Sequence, residues 1–103
     1  MSAQLVFVHV PVDMIEVFDV IGAKEREIAR AALDAGTEIV WHVRLKTGAS
    51  RRTFPGKIKI LDIADHPYTY EEDIEFLFNG KKFLMTVDAT SGDSQRAFAS
   101  PIK

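Results

Sequence analysis

A chain of 103 residues, 47% hydrophobic and 27% charged, suits one globular domain able to bury a core without metal or disulfide staples. The absence of cysteine excludes thiolate catalysis, thiolate metal sites and sulfur redox chemistry, and fits a reducing cytoplasm, the expected location. A net charge of −2 argues against coating nucleic acid by bulk charge. No apolar run nears the ~20 residues of a membrane span, so no membrane partner is expected.

Met1 to Val10 lacks the basic start of a signal peptide. Its apolar run, Leu5 to Val10, reads as a strand over 4–10 buried on both faces. Residues 13–21 carry two signals. Asp13 and Glu16 have the spacing of a capping box, and Met14, Val17, Phe18 and Ile21 that of a helix. Ile15, Val17, Val20 and Ile21 are β-branched, which tips the reading to a strand.

Residues 23–35 predict a helix, with Ile28, Ala31, Ala32 and Ala35 as the buried stripe and Arg26, Glu27, Arg30 and Asp34 on the solvent side. Gly36 stands where a C-terminal cap belongs. Thr37 to Lys46 alternates, with Ile39, Trp41, Val43 and Leu45 on one face. In 57–65 the apolar phase shifts between Ile60 and Leu61, which predicts a bulge. Residues 72–78 and 81–88 flank Asn79-Gly80, the sequence of a two-residue hairpin turn. That turn sets Phe78 against Lys81, Phe76 against Phe83 and Ile74 against Met85.

The expected fold is α+β: one helix packed on a mostly antiparallel sheet of about five to six strands, ending in a four-stranded meander over 37–89. Residues 1–90 form the compact domain, and the polar, small-residue segment 91–103 a loosely ordered tail.

Charge is segregated along the chain. Residues 44–59 hold Arg44, Lys46, Arg51, Arg52, Lys57 and Lys59 and no acid; residues 62–75 hold Asp62, Asp65, Glu71, Glu72, Asp73 and Glu75 and no lysine or arginine. Strand reversal in the meander gathers Arg44, Lys46, Arg51, Arg52, Lys57, Lys59, Lys81 and Lys82 at one end. Asp34, Glu38, Asp65, Glu71, Glu72 and Asp88 fall towards the other. The connection 47–56, with Arg51, Arg52 and an exposed Phe54, has the donors to grip phosphates or carboxylates but lacks the spacing of a nucleotide-binding P-loop.

No catalytic constellation is present. His9, His42 and His66 lie in separate elements without ligand spacing, so no metal and no cofactor is expected. Asp73 and Glu75 share a strand face but have no visible cleft. Asp65-His66 is a neighbouring acid and base at a turn. The serines lack a nucleophile elbow.

These features point to a small non-catalytic binding or adaptor protein whose basic end and 47–56 loop meet an acidic protein surface or a nucleic-acid backbone. An alternative is a ligand-binding protein or enzyme with a pocket between helix and sheet, polar groups coming from Glu25, His42 and Asp88. A third is a structural homo-oligomer built on the outer-face apolar residues Val40, Leu77 and Leu84.

Overall fold

The structure, a computed structural model, describes residues 13–48 and 50–102. The strand expected at 4–10 and His9 lie outside the described residues. In chain order the elements are β1 (Ile15–Val20), α1 (Ala23–Asp34), β2 (Ile39–Thr47), β3 (Phe54–Asp65), β4 (Glu71–Phe78), β5 (Lys81–Asp88) and β6 (Gln95–Pro101). Each strand pairs antiparallel with the next, and β6 returns to pair with β1.

The sheet therefore closes into a six-stranded antiparallel barrel with one short helix, which corrects the α+β expectation of a helix layered on an open sheet. The strand that closes it lies in the segment expected to be a loose tail. β6 alternates as strongly as the other strands, but its inward residues are Ala97 and Ala99. Small side chains leave room for bulkier ones from the facing strands in a narrow barrel, and they hide the strand from a hydrophobicity pattern.

The interior is filled. Val17, Leu45, Ile58, Ile74 and Phe76 are fully buried, and Trp41, Phe83, Met85 and Val87 nearly so. Phe76 and Phe83 stack at 5.6 Å between ring centroids, as the hairpin register requires. Asn79 and Gly80 both take positive φ, 50° and 77°, the geometry of a type I′ turn. The expected bulge in β3 falls between Ile60 and Asp62, and a second, with Asp19 at φ 61°, interrupts β1. Such bulges sharpen the local twist and let a sheet this narrow curl shut.

Helix α1 ends as expected. The N–H of Gly36 (φ 84°) reaches Leu33 O and that of Thr37 reaches Ala32 O, each at 2.9 Å, the paired bonds of a Schellman cap. Its orientation is the reverse of expectation. Ile28 is 64% exposed and Ala31 and Ala35 face solvent, while Arg26 and Ala29 are buried and Leu33 packs on the core.

The physical reason is Arg26, 0% exposed. Its Nε donates to Glu72 Oε1 at 2.7 Å, Nη1 to Ile21 O at 2.7 Å and Nη2 to Asp88 O at 2.8 Å. Three charge-assisted bonds of about 1.5–3 kcal/mol each offset a desolvation cost of several kcal/mol. An alanine stripe offers too little area to compete with that arrangement. The helix start is also fixed by close approach: a Cβ on Gly22 would lie 2.1 Å from Gly92 O, and Ala23 N–H donates to Ser91 O at 2.9 Å.

Removing one member of the buried pair strands the other charge. Glu72→Ala is expected to cost about 3–5 kcal/mol of unfolding free energy, measured by urea denaturation. A loss below about 1 kcal/mol would show that the pair is effectively solvated.

Candidate functional site

The strand register sets the charges in rows around the outside of the barrel. One row runs Val40, Lys59, Leu77, Lys82 across β2 to β5. Beyond it, His42 lies opposite Lys57, Arg44 opposite Pro55, and Lys81 opposite Phe78. Towards the other end come Asp62, Glu75 and Leu84 in one row, then Ala64, Asp73 and Thr86, then Glu71 and Asp88.

β3 pairs with β4 only from Lys59 onwards, so the β2–β3 hairpin runs past the Asn79-Gly80 turn as an arm. Thr47 and Ser50 close a tight turn at its tip: Thr47 N–H donates to Ser50 Oγ at 2.8 Å and Ser50 N–H to Thr47 O at 3.2 Å. Arg44 Nε donates to Thr53 Oγ1 at 3.1 Å, and Nη2 reaches the same oxygen.

Arg44, Arg51, Arg52, Lys57, Lys59, Lys81 and Lys82 are exposed on this arm and the adjoining barrel mouth, and Lys46 is half-buried. Phe54 is not the exposed aromatic of the sequence reading. It is half-buried against the core, and opposite it stands Leu45.

Charges at both ends are only partly paired; among the described residues Asp62, Glu71, Glu75 and Asp88 of the acidic end form no ion pair. Among the described residues, Lys46, Arg51, Arg52, Lys57, Lys81 and Lys82 form no ion pair; Lys59 alone meets an acid, Glu38, at 3.6 Å. At the opposite end, Glu72 holds Arg26 at 2.7 Å and lies 3.7 Å from Arg30, whose Nη1 donates to Asp65 at 2.9 Å. The hydrogen bond to Asp65 outweighs partial desolvation and holds the Arg30 guanidinium above its ordinary value.

His66 pairs with Asp73, not with the neighbouring Asp65. His66 Nδ1 lies 3.0 Å from Asp73 Oδ2, while Thr86 Oγ1 donates to Asp73 Oδ1 at 2.9 Å. Partial burial opposes ionisation of Asp73, but the bonds from His66 and Thr86 together outweigh it and hold the carboxyl below its ordinary value. With the 2.9 Å bond from His66 N–H to Glu71 O, this arrangement ties down the β3–β4 connection. Asp88 is likewise held below its ordinary value, by hydrogen bonds from Thr90 N–H and Oγ1, each at 2.8 Å.

The pocket pictured between helix and sheet finds no support in these positions. Trp41 and the phenylalanines are packed into the closed core. His42 and Asp88 are exposed at opposite ends of the barrel and Glu25 is exposed on α1, so the three do not converge.

Of the outer apolar residues, Val40 is separated from Leu77 by Lys59, and Leu84 lies on the next strand beside Glu75. A groove of about 550 Å³ lies on the outer face of β5 and β6 beside Leu84, Phe98 and Ile102. Phe98 and Ile102 were the only large apolar residues of the supposed tail, a signal that marked this face. Among the described residues, no three metal-ligating side chains cluster and no helix is long and apolar enough to cross a membrane. Comparison of the chain with protein-family models, with curated proteins and with solved structures finds no significant match.

A carboxyl whose folded value is depressed contributes stability that is complete above its unfolded value, near 3.8 for Asp73, and is lost as pH falls through the folded value. The melting temperature of the native chain is therefore expected to fall more steeply below about pH 4 than that of Asp73→Asn. Parallel acid limbs in the two Tm-versus-pH curves would contradict this.

Proposed function

We propose that the protein is a non-catalytic binding module whose β2–β3 arm and adjoining mouth engage an anionic macromolecular surface. The observation that carries this reading is a cluster of exposed, unpaired cations. Arg51, Arg52, Lys57, Lys81 and Lys82 have no acid partner among the described residues, while at the other end Glu72, Asp65 and Asp73 meet Arg26, Arg30 and His66, and Asp62, Glu71, Glu75 and Asp88 form no ion pair. Exposed cations mounted on a paired hairpin lose less freedom on binding than cations on a loose loop. Arginines of the fork type suit both carboxylate and phosphate, so the chemistry of the end admits an acidic protein surface or a nucleic-acid backbone.

The test uses two probes, a duplex DNA oligonucleotide and poly-glutamate, titrated by fluorescence anisotropy at several salt concentrations. Arg51→Glu with Arg52→Glu is expected to weaken binding at least about tenfold at low salt. On DNA it should also flatten the log K against log salt slope by about two. Whichever probe responds identifies the partner class. Failure of the native chain to bind either probe, or binding unaffected by the double reversal, would defeat the proposal.

A further inference from the structure

A second surface lies along the side of the barrel, away from the arm. The outward side chains of β5 run Lys82, Leu84, Thr86, Asp88. On β6 the Leu84↔Ser100 pair and the 2.9 Å bond from Ile102 N–H to Lys82 O set Ile102 and Ser100 alongside, with Phe98 and Arg96 further along. Registered pairing between the strands stops at Met85↔Ala99. Beyond it the Gln95 side-chain amide takes the place of a neighbouring strand, accepting from Asp88 N–H at 2.9 Å and donating to Asp88 O at 3.1 Å. The two strands thus bound a groove of about 550 Å³, beside which Leu84, Phe98 and Ile102 are 40%, 48% and 38% exposed.

The order of side chains on this face is self-complementary. We propose that it is a contact between two copies of the chain, related by a two-fold axis lying across the strands, so that β5 lies antiparallel over β5 of the partner subunit. Lys82 then stands over the partner's Asp88 and Asp88 over the partner's Lys82. Phe98, the largest exposed apolar side chain of β6, stands over the partner's Ser100, one of the smallest, Leu84 over the methyl of the partner's Thr86, and Ile102 over the partner's Arg96.

Both members of the charged pair are available for this. Lys82 forms no ion pair among the described residues, and only one oxygen of the Asp88 carboxylate, Oδ1, accepts from Thr90. A two-fold axis along the strands instead would leave Asp88 to the partner's Arg96 as its only cation. Arg96 is already engaged, its Nε 3.2 Å from the buried Glu16 carboxylate. A contact two strands wide sits at the small end of specific interfaces, so it produces a concentration-dependent dimer, not a permanent one. It leaves the two basic arms pointing in opposite directions and shares Lys82 alone with the basic mouth.

Sedimentation equilibrium from about 1 μM to about 1 mM tests the contact. The native chain is expected to show a monomer–dimer equilibrium that weakens towards about 1 M NaCl, where charges are screened beyond about 3 Å. Phe98→Glu, on an exposed position, should weaken it at least about tenfold. Lys82→Glu and Asp88→Lys, each alone, place like charges over one another and should also weaken it. An equimolar mixture of these two variants restores unlike pairs and should associate as the native chain does. A native chain that stays monomeric throughout, a dimer indifferent to both Phe98→Glu and salt, or a mixture no tighter than its components would overturn the proposal. Circular dichroism confirms that each variant is folded. If Asp88→Lys disrupts the Thr90 turn, the native salt dependence with Lys82→Glu and Phe98→Glu still decides.

Discussion

The buried guanidinium of Arg26 is the constraint on which the rest of the arrangement depends. Its three bonds reach three stretches of chain that are distant in sequence: the link into the helix at Ile21, the start of β4 at Glu72 and the end of β5 at Asp88. Only a planar group with donors in three directions can do this; a lysine ammonium has a single point of charge and a shorter reach across the acceptors. The bond to Asp88 O and the Gln95 amide meet at the same residue, so the place where β5 and β6 separate is also the place where the helix is tied in.

That interior bond shapes the exterior field. The helix carries two arginines to the acidic end and uses them against Glu72 and Asp65, while His66 engages Asp73. Among the described residues, Lys59 alone of the basic set meets an acid, Glu38. A chain with two more acids than bases by count thereby exposes a basic end whose cations are largely uncommitted. Barrel closure assists by removing sheet edges, the usual sites of unplanned association. One edge that remains, Phe54 to Gly56 beyond the reach of β4, carries Pro55, which has no N–H to offer an incoming strand.

Much of this was legible where a residue's local chemistry agrees with its tertiary role. The Asn79-Gly80 turn, the pairing of Phe76 with Phe83, the shift in β3 and the cap at Gly36 all follow from short-range rules, and each is found. The fold class was not legible, because closure depends on β6, whose inward alanines carry almost no hydrophobic signal. The helix face was misread for a related reason. Periodicity assumes that apolar residues are buried, and here an arginine is buried because a carboxylate from a strand 46 residues away awaits it. No rule of local spacing contains that partner. The gathering of the basic residues was legible because strand direction alone decides it. The pairing of Glu72 and Asp65 was not, because it needs the side chains of α1.

The separation of the poles decides which charge a partner feels. Lys82 and Asp88 lie six residues apart on β5, roughly 20 Å along the strand. At physiological ionic strength the screening length is about 8 Å. A molecule docked at the arm is therefore more than two screening lengths from Asp88 and responds chiefly to the local cations, not to the overall charge of −2. The same distance explains why binding at the arm and association along the side are separate events. A contact that runs the length of β5 includes one residue of each pole and cancels them pairwise, whereas a contact at the arm meets mostly cations, the acid beside them, Glu16 opposite Lys46, being buried and turned to Arg96. Salt should thus act on both, but net charge reversal at Arg51 and Arg52, which lie beyond the reach of β5, bears on the arm alone.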